Sequence, residues 1–210
     1  MQSDDATLAE SLDELLLRAG FGLGDDYVEL LRTNLESPVP RHRILALRGV
    51  VRQHLVSSDD WKSALRDPDV EVRREALNQI AHGEIDDGDV YADLVHCLDD
   101  EDALVVDGAV FALGEHLHVA AVEKMCVIAT SHDDARCRES AVAALGAIGD
   151  DRARPAILGA LDDKPPVRRR AIVALANFEG PDIDEALERA SRDRDWQVRA
   201  AVNQLGRDED

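Results

Sequence analysis

The 210-residue sequence predicts an all-α fold, a right-handed α-solenoid of about six stacked helix pairs. Three observations carry the prediction. A short pattern returns every 30–33 residues along most of the chain. Within each return the apolar residues fall at helical intervals. Aromatic residues make up only 3% of the sequence against 45% hydrophobic, so the core must be aliphatic, which suits closely packed helices better than a β-sandwich. A chain of this length can bury enough apolar surface to fold without disulfides or metal.

The pattern is D-x-x-x-x-V-R-x-x-A. It occupies Asp67–Ala76, Asp100–Ala109, His132–Ala141, Asp162–Ala171 and Asp193–Val202, with a weaker copy at His42–Ala46. Its Arg position falls at Arg43, Arg73, Val106, Arg138, Arg168 and Arg199, with spacings of 30, 33, 32, 30 and 31 residues. Val72, Ala76 and Ile80 share one helix face, as do Val105, Ala109 and Leu113, then Cys137, Ala141 and Leu145, then Val167, Ala171 and Leu175. Alanine at the middle of that face lets neighbouring helices approach closely.

Taken in order, residues 1–26 read as an N-terminal capping helix (residues 7–19) with the Gly20–Gly24 linker, and residues 27–210 as the repeat array. The repeats lie near 27–55, 59–83, 86–117, 118–149, 150–179 and 181–207. A first helix precedes each motif, as at Val90–Leu98, Val119–Thr130, Arg152–Leu161 and Ile183–Ala190. The turns Asp86-Asp87-Gly88, Gly149-Asp150-Asp151 and Gly180-Pro181-Asp182 end one helix with glycine and cap the next with Asp. The recurring Asp-Asp pairs are therefore capping signals rather than a metal-binding composition. Trp61 and Trp196 sit at helix starts and are expected to pack between helices; Trp196 alternatively serves as an exposed anchor. The last repeat has Val202 and Gly206 in place of Ala and Leu, as a shifted cap would, before the acidic tail Arg207–Asp210.

This repeat resembles the HEAT family, and in particular the short kind named after phycobilisome lyases. The resemblance covers roughly residues 27–210. It implies that the repeat Asp and Arg form a structural ladder, with Asp67–Arg73, Asp162–Arg168 and Asp193–Arg199 as pairs and Asp133 beside Arg138. Ser37 and His42 depart from the pattern in repeat 1, and Val106 departs from it in repeat 3. The resemblance also places the second helix of each pair on a concave binding surface. Just off the core face, one stripe there runs Arg74, Asp107, Glu139, Arg169, Ala200 and another Asn78, Phe111, Ala143, Val173, Gln204. The partner-binding candidates are Arg74, Asn78, Asp107, Phe111, Glu115, Glu139 and Arg169. A HEAT-type di-iron hydroxylase would carry His-Glu dyads directly after the repeat Arg; this chain has none, so that activity is not implied.

Charge separates the function classes. Acidic residues number 44 against 24 basic ones, a net charge of −20, which disfavours phosphate-driven binding to nucleic acid and to anionic membranes. Between Arg74 and Lys124 no Lys or Arg occurs, while that stretch holds 13 acids. The functional reading is an acidic dock around repeat 3 for a basic protein; the bland one is a solvated face with N-caps, or salt adaptation. The N-terminus has no signal-peptide pattern, no stretch is long and apolar enough to span a bilayer, and the three cysteines, Cys97, Cys126 and Cys137, suit reduced thiols, so a cytoplasmic protein is expected. Four histidines lie in the acidic stretch, but His116 and His118, two residues apart, are expected to diverge. The sequence thus predicts a non-catalytic scaffold or adaptor, a monomer or weak dimer, with no metal or cofactor. The alternative is a bilin-lyase-like enzyme or tetrapyrrole chaperone.

Overall fold

The fold was analysed in a computed structural model that describes residues 11–85 and 88–205. Among these residues there are thirteen α-helices and no strand. They are α1 (Leu12–Ala19), α2 (Tyr27–Asn34), α3 (Pro40–Arg52), α4 (Ser58–Leu65), α5 (Val70–Ala81), α6 (Gly88–Cys97), α7 (Ala103–Glu115), α8 (Val122–Ser131), α9 (Ala135–Ile148), α10 (Arg154–Gly159), α11 (Pro165–Leu175), α12 (Pro181–Ala190) and α13 (Trp196–Leu205). The architecture is the α-solenoid read from the repeat: alternating first and second helices, with the motif opening each second helix. The chain divides into two units, Met1–Gln79 and Ile80–Asp210.

In the first unit α1 and α2 pack on α3. Ser11 starts α1 with a capping box, its hydroxyl accepting from Glu14 N while the Glu14 carboxylate accepts from Ser11 N. Ser57 and Asp60 repeat the arrangement at α4. Leu16, Leu31, Leu47, Val50 and Leu77 are buried, and Trp61 packs inside as expected. Gly49 is required here, because a Cβ on it would lie 2.4 Å from Leu31 Cδ2.

In the second unit α6/α7, α8/α9, α10/α11 and α12/α13 form the pairs, and the second helices α7, α9, α11 and α13 pack one on the next. Their inner faces are the predicted ones: Val105, Ala109 and Leu113; Cys137, Ala141 and Leu145; Val167, Ala171 and Leu175 are all fully buried. The first helix expected over Arg152–Leu161 is broken. Only Arg154–Gly159 is α-helical, flanked by 3₁₀ turns at Asp151–Ala153 and Ala160–Asp162. Pro155 in the first turn lacks an N–H, which suits a helix start but not a continuous helix from 152. Gly149 ends α9 in the left-handed region, φ 69°, and Asp150 caps the next turn by accepting from Arg152 N. Asp182 does not cap α12: Gly180 occupies that place, and Asp182 pairs with Arg154 at 3.0 Å. Gly206 and the acidic tail lie outside the described residues, as do Asp86 and Asp87.

The Asp–Arg ladder is present, with a different register from the one the resemblance implied. Each rung joins the Arg of one repeat to the Asp of the following repeat. Arg43 donates two hydrogen bonds to Asp67 at 2.7 and 2.6 Å, Arg138 two to Asp163 at 2.6 and 2.7 Å, and Arg168 two to Asp193 at 2.9 and 2.7 Å. The expected intra-repeat pairs are not side-chain ion pairs. Within its own repeat Arg73 donates to the main-chain carbonyl of Asp67, at 2.9 Å, and Arg199 to that of Asp193, at 2.7 Å. Asp162 is exposed, and Asp163 takes the rung. Arg138 likewise donates to the main-chain carbonyl of Asp133, at 3.1 Å, rather than to its carboxylate. The reason is geometric. The acidic side chain folds back on its own turn, Asp67 Oδ1 accepting from Asp69 N and Asp193 Oδ1 from Asp195 N, which turns its remaining lone pairs toward the preceding repeat.

Candidate protein-binding groove

Asp107, Phe111 and Glu115 are four residues apart on α7, so they lie one above another on a single face. The facing side of α9 supplies Glu139, Ser140, Ala143 and Ala147. The two helices run parallel and in register. Ser140 Oγ donates to Asp107 near their starts, and farther along a Cβ on Gly114 would sit 2.8 Å from Ala144 Cβ. Glycine at 114 thus lets the helices nearly touch, and the side chains above that contact frame a groove of about 370 Å³. Its floor is Gly114, Ala143, Ala144 and Ala147. Phe111 forms one wall, Glu115 and Glu139 stand at the rim, and Arg170 of α11 reaches in.

Phe111 is 47% exposed, too open for a core residue, and the His82 ring leans against it at 6.1 Å between centroids. Arg170 lies 3.6 Å from Glu139. Glu115 is exposed and has no ion-pair partner among the described residues. Among the described residues Asp107 accepts from a neutral hydroxyl, that of Ser140, and it acts on its neighbours. Burial pushes the Cys137 thiol up to about 11, and Asp107 adds to that shift. Arg136, on which Asp107 has a small electrostatic effect, forks on Asp134, holding that acid at about 2.

Several acids of the stretch are committed elsewhere. Glu75 is buried and forked by Arg48 at 2.7 and 2.5 Å; Asp102 caps α7 through Leu104 N and Val105 N; Asp99 pairs with Lys124; Glu123 pairs with Arg152. The capping reading holds for Asp102, and Glu75, Asp99 and Glu123 are taken up in ion pairs, while Asp107 and Glu115 have no ion-pair partner among the described residues.

Of the seven residues singled out from the sequence, the structure brings Phe111, Glu115 and Glu139 to one groove, with Asp107 at its end. Arg169 is exposed on α11 and does not line it; its neighbour Arg170 does. Arg74 and Asn78 belong to the first unit, where Arg74 pairs with Glu71 at 2.6 Å. Ser140 and Arg170 were missed because each is defined by a contact across repeats. A second cavity, about 500 Å³ in the first unit, was also missed; the Arg32–Asp60 and Arg43–Asp67 pairs lie in its lining.

The histidines do not diverge. Leu117 adopts φ 49°, which bends the chain so that His116 Nδ1 sits 3.2 Å from Tyr91 Oη and His118 stacks on the Tyr91 ring at 4.5 Å. His116 Nε2 donates to Ile80 O at 3.0 Å, leaving Nδ1 to accept from the tyrosine. No group of three His, Cys, Asp or Glu suited to a metal occurs among the described residues.

Stacked helix pairs with an inter-repeat Arg–Asp ladder and an open groove on the second helices define a helical-repeat protein. The family comparison makes the class specific: the chain belongs to the HEAT repeats, which match residues 58–142 and 122–206. No curated protein matches it. Among solved structures it is similar to an engineered protein (22% identity, TM-score 0.66, covering 86% of this chain and 95% of that one). It is also similar to YibA of Escherichia coli (18%, 0.63, 96% and 75%) and to a designed armadillo repeat protein in complex with the peptide (KR)4 (16%, 0.58, 94% and 99%).

Proposed function

We propose that this HEAT-repeat chain is a non-catalytic protein-interaction scaffold that binds its partner on the second-helix face of repeats 3 and 4, through Asp107, Phe111, Glu115 and Glu139. The observation that carries the reading is the half-exposed Phe111 over a glycine–alanine floor. Aromatic side chains, Phe among them, are enriched at the cores of protein interfaces. The designed armadillo neighbour that holds a (KR)4 peptide supports an extended protein segment as the type of ligand. The 30–33-residue period and the V-R-x-x-A register support the short, phycobilisome-lyase-type subclass of the repeat. No observation favours the chromophore-lyase alternative. No helix among the described residues is long and apolar enough to cross a membrane, and a cytoplasmic setting is proposed with the rest.

The test is quantitative capture from native lysate at matched ionic strength, wild type against a variant with Asp107→Asn, Phe111→Ala and Glu115→Gln. A protein held by wild type and lost by the variant supports the reading. One retained equally by both removes this face from it.

A further inference from the structure

We infer that the groove between α7 and α9 receives an extended, basic segment of a partner protein, with two cationic side chains four residues apart and an apolar side chain midway between them. The inference deepens the protein-binding reading above and rests on it.

The groove is apolar in its floor and charged at its ends. Gly114, Ala143, Ala144 and Ala147 offer a side chain no hydrogen-bonding group, and Phe111 offers a ring face. At one end stand Asp107 and Glu139, at the other Glu115. Eight residues of α-helix separate Asp107 from Glu115, a rise of about 12 Å. An extended chain advances about 3.3 Å per residue and points alternate side chains the same way. Residues i, i+2 and i+4 of such a chain therefore span about 13 Å on one side. That places cations over the two ends and the middle side chain over Phe111.

Charge complementarity selects this occupant over others. Asp107 and Glu115 have no ion-pair partner among the described residues, so a basic segment gains contacts at both ends and an acidic one is repelled. Size points the same way. One turn of α-helix, about 10–12 Å across and about 5.4 Å long, fills roughly 400–600 Å³, more than the whole groove of about 370 Å³, whereas single side chains fit. Arginine is the better cation at i+4 or i, since its plane can also lie against Phe111. Arg170 already answers part of the charge at the first end, at 3.6 Å from Glu139. It therefore competes with the incoming cation, and its removal should favour a basic ligand while disfavouring an acidic one.

The experiment is fluorescence anisotropy on the full chain with a labelled synthetic peptide, Gly-Arg-Ser-Leu-Ser-Arg-Gly. Peptides of the same composition with the arginines two or six apart, the peptide with Glu for Arg, and a helix-stapled basic peptide serve as comparisons. The expected result is at least about fivefold tighter binding of the four-residue spacing. Asp107→Asn and Glu115→Gln should each weaken it about threefold, as single exposed charge contacts do. Phe111→Ala should weaken it about tenfold, with Phe111→Leu intermediate. Arg170→Gln should tighten it about twofold, and affinity should fall with added salt. Circular dichroism of each variant confirms that the helices persist. Equal affinity for all spacings, or binding indifferent to Phe111→Ala, overturns the inference. If the acidic or stapled probe binds best and still depends on Phe111, the assigned chemistry falls while the protein-binding reading stands. If no probe binds, the chemistry falls, and the capture experiment judges the broader reading separately.

Discussion

Arg138 and Asp163 are joined by two parallel hydrogen bonds, 2.6 and 2.7 Å, that cross from one repeat to the next. The third nitrogen of the same guanidinium donates at 2.6 Å to the carbonyl of His132, in the turn before its own helix. One side chain thus ties its own turn to the following repeat. Arg168 does the same with Asp193 and with the carbonyl of Asp163, while 4% exposed. Bidentate, charge-assisted geometry with every lone partner answered is the condition under which a buried pair offsets its desolvation.

Removing one member of such a pair should cost more than removing both. Arg168→Ala is expected to destabilise by about 3 kcal/mol, because it leaves Asp193 half-desolvated and opposite no cation. The double variant Arg168→Met, Asp193→Leu should lose clearly less. Urea unfolding of the two singles and the double checks this; strict additivity would rule out the pairing as the source of the loss.

The rung between repeats 3 and 4 lacks both charged members. Val106, 1% exposed, stands in the Arg place, and His132 stands in the Asp place. His132 keeps the local part of the Asp's role, since its Nδ1 accepts from Asp134 N as Asp193 accepts from Asp195 N. Val106→Arg alone is expected to destabilise by about 3 kcal/mol, an unpaired buried charge. Adding His132→Asp should recover at least about 1 kcal/mol of it. A double-mutant cycle in urea reads the coupling, and a value near zero would contradict the rung geometry.

The helix pairs and their inner faces were legible from the sequence because the repeat presents them several times in register; one weak copy is corrected by the others. The ladder's partners were not. Arg138 and Asp163 are 25 residues apart, and Asp162-Asp163 offers two candidates that only the turn's backbone distinguishes. Phe111, Glu115 and Glu139 could be marked as a face because helical spacing together with the repeat register places them. Arg170 could not, because its reach toward Glu139 depends on how closely α9 and α11 pack. The convergence of His116 and His118 on Tyr91 was hidden for a different reason: it follows from a left-handed leucine, a conformation sequence statistics reserve for glycine and asparagine.

That close packing depends on Gly146. A Cβ there would lie 2.5 Å from Ala174 Cβ and 2.7 Å from its Cα, on the neighbouring second helix. Alanine is the better helix former by about 1 kcal/mol, so an unconstrained glycine-to-alanine change stabilises. At 146 overpacking should win, with a net loss of about 1–3 kcal/mol. Gly159, helical and with no heavy atom within 4 Å of an added Cβ, is the control. Gly159→Ala should raise stability by about 0.5–1 kcal/mol, and the two changes in melting temperature should have opposite signs.

Leu117 is 55% exposed and sits at φ 49° after the last turn of α7, where Gly149 serves at the end of α9. A left-handed leucine costs roughly 1 kcal/mol or more, and its exposed side chain returns little. Leu117→Gly is therefore expected to stabilise by about 0.5 kcal/mol after the added chain entropy of glycine is allowed for. A lower urea midpoint for the variant would mean that the leucine side chain contributes packing that outweighs its backbone.

Two groups of titrating residues should act on stability in separate pH windows. Burial, with His116 nearby, pushes His118 below the ordinary imidazole value. Its unfolded form therefore binds a proton more readily than the folded one. Stability is full above about pH 6.5 and falls as the pH drops from there through the lower folded value. Asp163 and Asp193 are held below the ordinary carboxylate range by their arginines. Their contribution is present above about pH 4 and is lost only as the pH falls through their depressed values. His118→Phe keeps a ring on Tyr91 but removes the titration. The variant should show a flat stability profile from pH 7 to 5 where wild type declines, while both still unfold in the acid window set by the ladder. A wild-type decline that survives His118→Phe would assign the upper window to another group and leave the ladder's window untouched, because the two sets of charges are relieved by different protons.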